Sequence, residues 1–190
     1  MTILQALARA YDRLAADGGA PPFGYSTQQI GFLIVIDESG AVVGQPIDLR
    51  SDGKKRVGRS LNVPRPEKRT VAILPNFLWD KTAYALGVTA GEGKRTAQEH
   101  AAFVARHREA LADSDDDGLI AFLRFLDAWT PDQFAARNWP EDMKDDNIVF
   151  AHDGEYLRNV FLHDRAAARA IWARLSAEAS GGAARCLVTG

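Results

Sequence analysis

The residues of this chain best placed to do chemistry are cations. Residues 50–69 hold Arg50, Lys54, Lys55, Arg56, Arg59, Arg65, Lys68 and Arg69 against two acids, Asp52 and Glu67, a local charge of +6. The whole chain is −2, so the other 170 residues carry −8. Positive charge gathered on an otherwise acidic chain makes a local anion-binding surface, and nucleic acid is the commonest large anion. Arg56 and Arg59 can fork onto phosphates, while Lys54 and Lys55 act as point charges. Gly53 and Gly58 allow close backbone approach to a ligand. Composition alone supports a second reading equally well, a solvated loop kept in water by its charges.

The basic run leads straight into TVAILPNFLWD, residues 70–80. Asn76 stands between Pro75 and Phe77 and carries an amide that both donates and accepts, as base edges require. A turn or a helix cap is its other role. Phe77, Trp79 and Tyr84 follow closely. They could stack on bases, but core packing is expected for at least two of them.

Other constellations fail on spacing. Asp113, Asp115 and Asp117 with Gly118 imitate the start of a calcium loop, but position 12, which must be a bidentate carboxylate, is Arg124. Residues 112–118 therefore read as an acidic linker whose last acids favour the next helix N-terminus. Gly91, Gly93 and Lys94 resemble a phosphate loop, but Val88 and Arg95 occupy places that need Gly and Ser or Thr. His100 and His107 lie two turns apart, too far for an i, i+4 metal pair. Cys186 has no nearby His and reads as an inert buried thiol. No Ser sits in a Gly-x-Ser-x-Gly elbow. No catalytic residue, metal site or cofactor is expected.

The elements that must position these groups follow from periodicity. Residues 2–16 read as an amphipathic helix, capped by Thr2 with Gln5 and stopped by the Gly- and Pro-rich 17–22. Residues 30–36 read as a strand buried on both faces, and 41–49 as its return strand with a bulge or edge at Pro46. Residues 51–55 form a loop tip, 60–63 an extended piece and 71–74 a short strand. Helices are expected over 96–111, 119–129, from 130–131, and over 164–177, with a strand at 147–151. In the first of these helices Thr96 and Glu99 make a capping box, and Ala97, Ala101, Val104 and Leu111 face the core. In the last, Ala167, Ala168, Ile171, Trp172 and Leu175 face inward while Arg165, Arg169 and Arg174 face solvent. Another strand-like run spans 186–189. The fold class expected is α/β of the α+β type, a mixed and mostly antiparallel sheet with packed helices.

At 190 residues and 46% hydrophobic content the chain suits one domain with a real core. A single cysteine excludes an internal disulfide and fits a reducing compartment. Residues 1–5 lack a signal-peptide pattern, and no stretch approaches the roughly 18 apolar residues of a membrane span. A cytoplasmic location is expected. The apolar run at the C-terminal end leads us to expect a fragment, residues 1–190 being the N-terminal domain of a longer protein.

Several blocks resemble a known family. They are Ile3-Leu4-Gln5-Ala6-Leu7 with Tyr11, Pro21-Pro22, Gly24-Tyr25, and Ile47-Asp48-Leu49-Arg50. The central block is Arg69-Thr70, residues 75–81 and Tyr84-Ala85-Leu86-Gly87, and Cys186-Leu187-Val188-Thr189-Gly190 closes the series. In this order they resemble the N-terminal part of the large subunit of the type I-C CRISPR surveillance complex, Cascade. The resemblance implies a subunit near the 5′ end of the guide RNA that is not a nuclease. It would read the short motif beside the target, the PAM, in double-stranded DNA, largely from the minor groove, and help open the duplex for guide pairing. It would also help recruit a separate helicase-nuclease. Carried onto this chain, Lys54, Lys55, Arg56 and Arg59 grip DNA backbone, Arg65, Lys68 and Arg69 lie beside the duplex or the guide, and Asn76 contacts a base edge. Alternatives are a scaffold surface for other Cascade subunits, the target of a phage anti-CRISPR protein, or a metal-dependent nuclease, for which no carboxylate spacing is found.

Overall fold

The computed structural model describes residues 3–16 and 21–181. The Thr2 cap, most of the 17–22 stop and the 186–189 run lie outside these residues.

A five-residue apolar run, Phe32–Ile36 (β2), organises the molecule. All five side chains are buried, so both faces of the strand must be covered. β2 pairs in parallel with Asn147–His152 (β6) and antiparallel with Ile47–Asp48 (β3). Trp79–Lys81 (β5) adds antiparallel to the other edge of β6, giving the order β3-β2-β6-β5. Side-chain alternation then divides the core in two. Phe32, Ile34, Ile36, Ile148 and Phe150 face one layer, and Leu33, Val35, Val149 and Ala151 face another.

The first layer is helical. Thr96–Ala110 (α3), Asp117–Ala128 (α4) and Ala166–Gly181 (α6) contribute Phe103, Phe122, Phe125 and Trp172. Phe122 and Phe125 lie 4.9 and 5.3 Å from the Phe150 ring, centroid to centroid. Short helices Thr82–Ala85 (α2) and Asp132–Ala136 (α5) complete this side, and Ile3–Ala16 (α1) is the N-terminal helix. Burying each such large apolar side chain contributes roughly 1.5–3 kcal/mol.

The second layer is a separate two-stranded ribbon. Tyr25–Ile30 (β1) pairs antiparallel with Arg59–Pro64 (β4), Thr27 opposite Asn62 and Gln29 opposite Ser60. Ile30, Leu61 and Val63 pack inward with Phe161 onto Leu33, Val35, Val149 and Ala151. Three of the four strand pairings among the described residues are antiparallel, so the fold is α+β with a mixed, mostly antiparallel sheet and packed helices.

Several local expectations are corrected. The strand expected over 30–36 divides at Gly31, leaving Ile30 to the ribbon and 32–36 to the main sheet. The return strand shrinks to β3 and a bridge at Val42, because the chain leaves the ladder between them, around Pro46. Residues 71–74 form no strand, and Val71 is 79% exposed. Three guanidinium groups satisfy carbonyls along this segment instead: Arg95 donates to Val71 O, Arg69 to Leu74 O and Arg106 to Pro75 O. Of the expected α3 core face, Leu111 is buried at the helix end and Val104 packs on the core, but Ala97 and Ala101 are exposed and Thr96, Phe103, His107 and Ala110 are buried instead. The larger Phe103 and the internally bonded His107 outcompete the alanines for the interior. Arg95, not Thr96, caps α3, without a side-chain bond. Arg165 is half-buried, because Asp116 and Glu155 both accept from it.

Candidate nucleic-acid interface

The structure separates the eight cations of residues 50–69 into two groups. Arg50 is turned inward, its side chain only 9% exposed. It donates to Asp48 and Asp142 at 2.8 Å and to Asp146 at 3.3 Å, with its guanidinium 4.3 Å above the Phe32 ring. Arg56 bridges Asp48 at 2.7 Å and Asp142 at 3.3 Å. The fold thus assembles three carboxylates that no sequence spacing revealed, and fills them with two guanidinium groups. The hydrogen bond from Arg50 holds the Asp48 carboxyl below its usual range, whereas burial pushes Asp146 up. Arg56 is therefore already engaged at the place where a phosphate grip was expected.

Arg69 is also engaged. It forks onto both carboxylate oxygens of Asp80 and lies 4.0 Å over the Tyr84 ring. Asp80 on β5 is fully buried and accepts as well from the Asn76 N–H at 2.8 Å and the Lys81 N–H at 2.7 Å. Burial pushes its carboxyl above the usual range, against the pull of Arg69 and these donors. Asn76 is 4% exposed, and its Oδ1 accepts the Glu67 N–H at 3.0 Å. Together with the Asn76 N–H bond to Asp80, this bond ties residue 67 to β5 and keeps the Asn76 side chain buried rather than at the surface where a base-edge contact was expected. Phe77, Trp79 and Tyr84 are all core residues.

Six of the eight cations are exposed, and with Arg56 committed to Asp48 and Asp142 five remain for a ligand: Lys54, Lys55, Arg59, Arg65 and Lys68. None makes an ion pair with a described residue; Arg59 donates to the neutral Asn159 Oδ1 at 2.9 Å. Glu67 is held by Arg106, which leaves Asp52 as the one unpaired acid of the segment. Lys54 and Lys55 sit on a loop closed by the Ser51 N–H donating to Val57 O at 2.8 Å. Gly58 follows, pressed so closely on Ile30 that a Cβ would lie 2.8 Å from its carbonyl carbon. Its missing side chain serves β1 rather than a ligand, whereas Gly53 stands in open space.

The five cations lie at the two ends of the ribbon. Lys54, Lys55 and Arg59 mark the Ile30 end, and Arg65 and Lys68 mark the Tyr25 end. Near the Tyr25 end Phe23 is 85% exposed. Its turn is fixed by the Tyr25 N–H donating to Pro22 O and by Arg65 N–H and Trp172 Nε1–H donating to Gly24 O. Sequence reasoning passed over Phe23; the surrounding Pro-Pro-Phe-Gly turn was its only signal. Among the described residues no group of three His, Cys, Asp or Glu is arranged to hold a metal ion. No helix among them is long and apolar enough to cross a membrane.

A match to the family described as CRISPR-associated protein (Cas_Csd1) covers residues 7–190. The chain belongs to this family. The match takes in the ribbon, the cation-bearing loop, the Asp80 anchor and the helical layer. No curated protein matches the chain. Membership makes this a CRISPR-associated protein and agrees with the family resemblance that the 69–87 block carries.

Proposed function

We propose that the chain is a non-catalytic DNA-recognition part of the type I-C Cascade large subunit. It binds the duplex that carries the PAM and helps part its strands so that the guide RNA can pair. It acts with the other Cascade subunits and a separate helicase-nuclease effector. The observation that carries this reading is the set of five surface cations, left after every internal ion pair is counted, around one ribbon of a CRISPR-associated chain. Unpaired Lys and Arg groups bind phosphates without reading sequence. Phe23, apolar and held on a fixed turn, suits insertion at a base step where strands separate. Arg69 and Asn76 support the surface from beneath, and Arg56 does so through its ion pairs with Asp48 and Asp142.

A second reading, a scaffold surface for a protein partner, is favoured by α1, where Ile3, Leu7 and Leu14 are exposed. A phage anti-CRISPR protein that mimics DNA would meet the same five cations. Duplex binding to a randomised PAM library, with the assembled complex across a salt series and with magnesium or manganese present, separates these readings. The proposal expects PAM enrichment, affinity falling steeply with salt, and intact DNA from this subunit. Salt-independent binding or metal-dependent cleavage by this subunit overturns it.

A further inference from the structure

We infer that the outward face of the β1–β4 ribbon is the base-reading surface, with Gln29 and Asn62 as its principal readers. This deepens the proposed DNA function and rests on it. The inward face of the ribbon is spent on Ile30, Leu61 and Val63. By alternation the outward face is Thr27 and Gln29 on β1 with Ser60 and Asn62 on β4, all exposed. One wet face on an antiparallel pair is ordinary. The departure lies in its chemistry. Neither strand contains an acid, and the four central side chains are uncharged amides and hydroxyls, while cations stand at both ends.

The four side chains are also held in place. Thr27 Oγ1 donates to Asn62 Oδ1 at 2.8 Å, and Gln29 Nε2 donates to Ser60 Oγ at 3.0 Å. These bonds fix the amides while leaving Asn62 Nδ2 and Gln29 Oε1 without a partner among the described residues. One free donor and one free acceptor are the groups that base edges recognise. Six paired residues span about 20 Å, or roughly six base-pair steps. Cations at that separation can hold phosphates while the uncharged centre meets the bases, the division of labour common to DNA-binding proteins.

The test compares the assembled complex carrying Gln29→Ala with Asn62→Ala against wild type, on PAM and non-PAM duplexes. Both positions are exposed, and an unchanged unfolding midpoint establishes that the fold is kept. The inference expects affinity for the PAM duplex to fall about tenfold or more, with affinity for the non-PAM duplex unchanged. Full discrimination in the double variant, or an equal loss on both duplexes, overturns the ribbon as reader while leaving duplex binding by the cations standing. A wild-type complex that binds no duplex overturns both.

Discussion

Neutralising Lys54 and Lys55 should do what neutralising Arg56 does not, although the three are consecutive. Lys54 and Lys55 are exposed and unpaired, so each can release a counterion on meeting a phosphate. Each lost contact lowers the slope of log affinity against log salt by about 0.9. For Lys54→Gln with Lys55→Gln the slope should fall by about 1.8, and at about 0.1 M salt the affinity should fall about sixtyfold. Arg56 already lies on Asp48 and Asp142, 46% exposed. Arg56→Gln should leave the slope unchanged and cost at most about 1 kcal/mol of stability, as for a partly exposed ion pair. The assay is duplex titration of the assembled complex from low to high salt, with urea unfolding alongside. A slope unchanged in the double lysine variant would refute the loop as a phosphate clamp. A slope lowered as much by Arg56→Gln as by one lysine would show that the internal pairs yield to DNA.

Two further expectations concern the frame. Asp80→Ala leaves the Arg69 guanidinium and the Asn76 and Lys81 N–H groups without their acceptor, and should cost about 3–5 kcal/mol. Urea denaturation checks this, and a loss under about 1 kcal/mol would count against Asp80 as the anchor. The second concerns acid. Burial lowers His107 to about 3 and His163 to about 4, from an ordinary value of 6.5. Below pH 6.5 the unfolded chain takes up protons that the folded chain refuses, so stability should fall as the pH drops from about 6.5 to 4. The slope is up to about 1.4 kcal/mol per pH unit for each imidazole. Denaturation at pH 7, 6 and 5 measures it, and His107→Gln should flatten it; a flat profile in wild type would contradict neutral buried imidazoles.

His107 shows why some of this was not legible in the sequence. Its Nδ1–H donates to Phe103 O, and its Nε2 accepts the Leu78 N–H, each at 2.8 Å. The second bond reaches 29 residues back along the chain, to a residue with φ +61°. Helical period alone could not show it, and so Ala97 and Ala101 were expected inward where Phe103 and His107 are buried, although Val104 and Leu111 do face the core. By contrast, β2 was legible because an unbroken β-branched and apolar run has few alternatives to burial on both faces. The helices over 117–128 and 166–181 were legible because their apolar spacing agrees with the packing they adopt. Residues 71–74 misled because apolar composition favours a strand only when an edge is available, and arginine side chains had claimed those carbonyls.

By itself the sequence determined that positive charge is concentrated at residues 50–69 of an acidic chain, that the fold mixes helices with a mostly antiparallel sheet, and that the family is CRISPR-associated. Those properties are local or cumulative, and composition and order along the chain carry them. Which cations are free was decided only by tertiary structure. Arg50 and Arg56 find acids 86 to 96 residues away, and Arg69 finds a buried one on a neighbouring strand. A charge becomes available to a ligand only when folding brings it no partner. The fold left five such charges at the two ends of one ribbon and turned Asn76, the conspicuous amide, into the core.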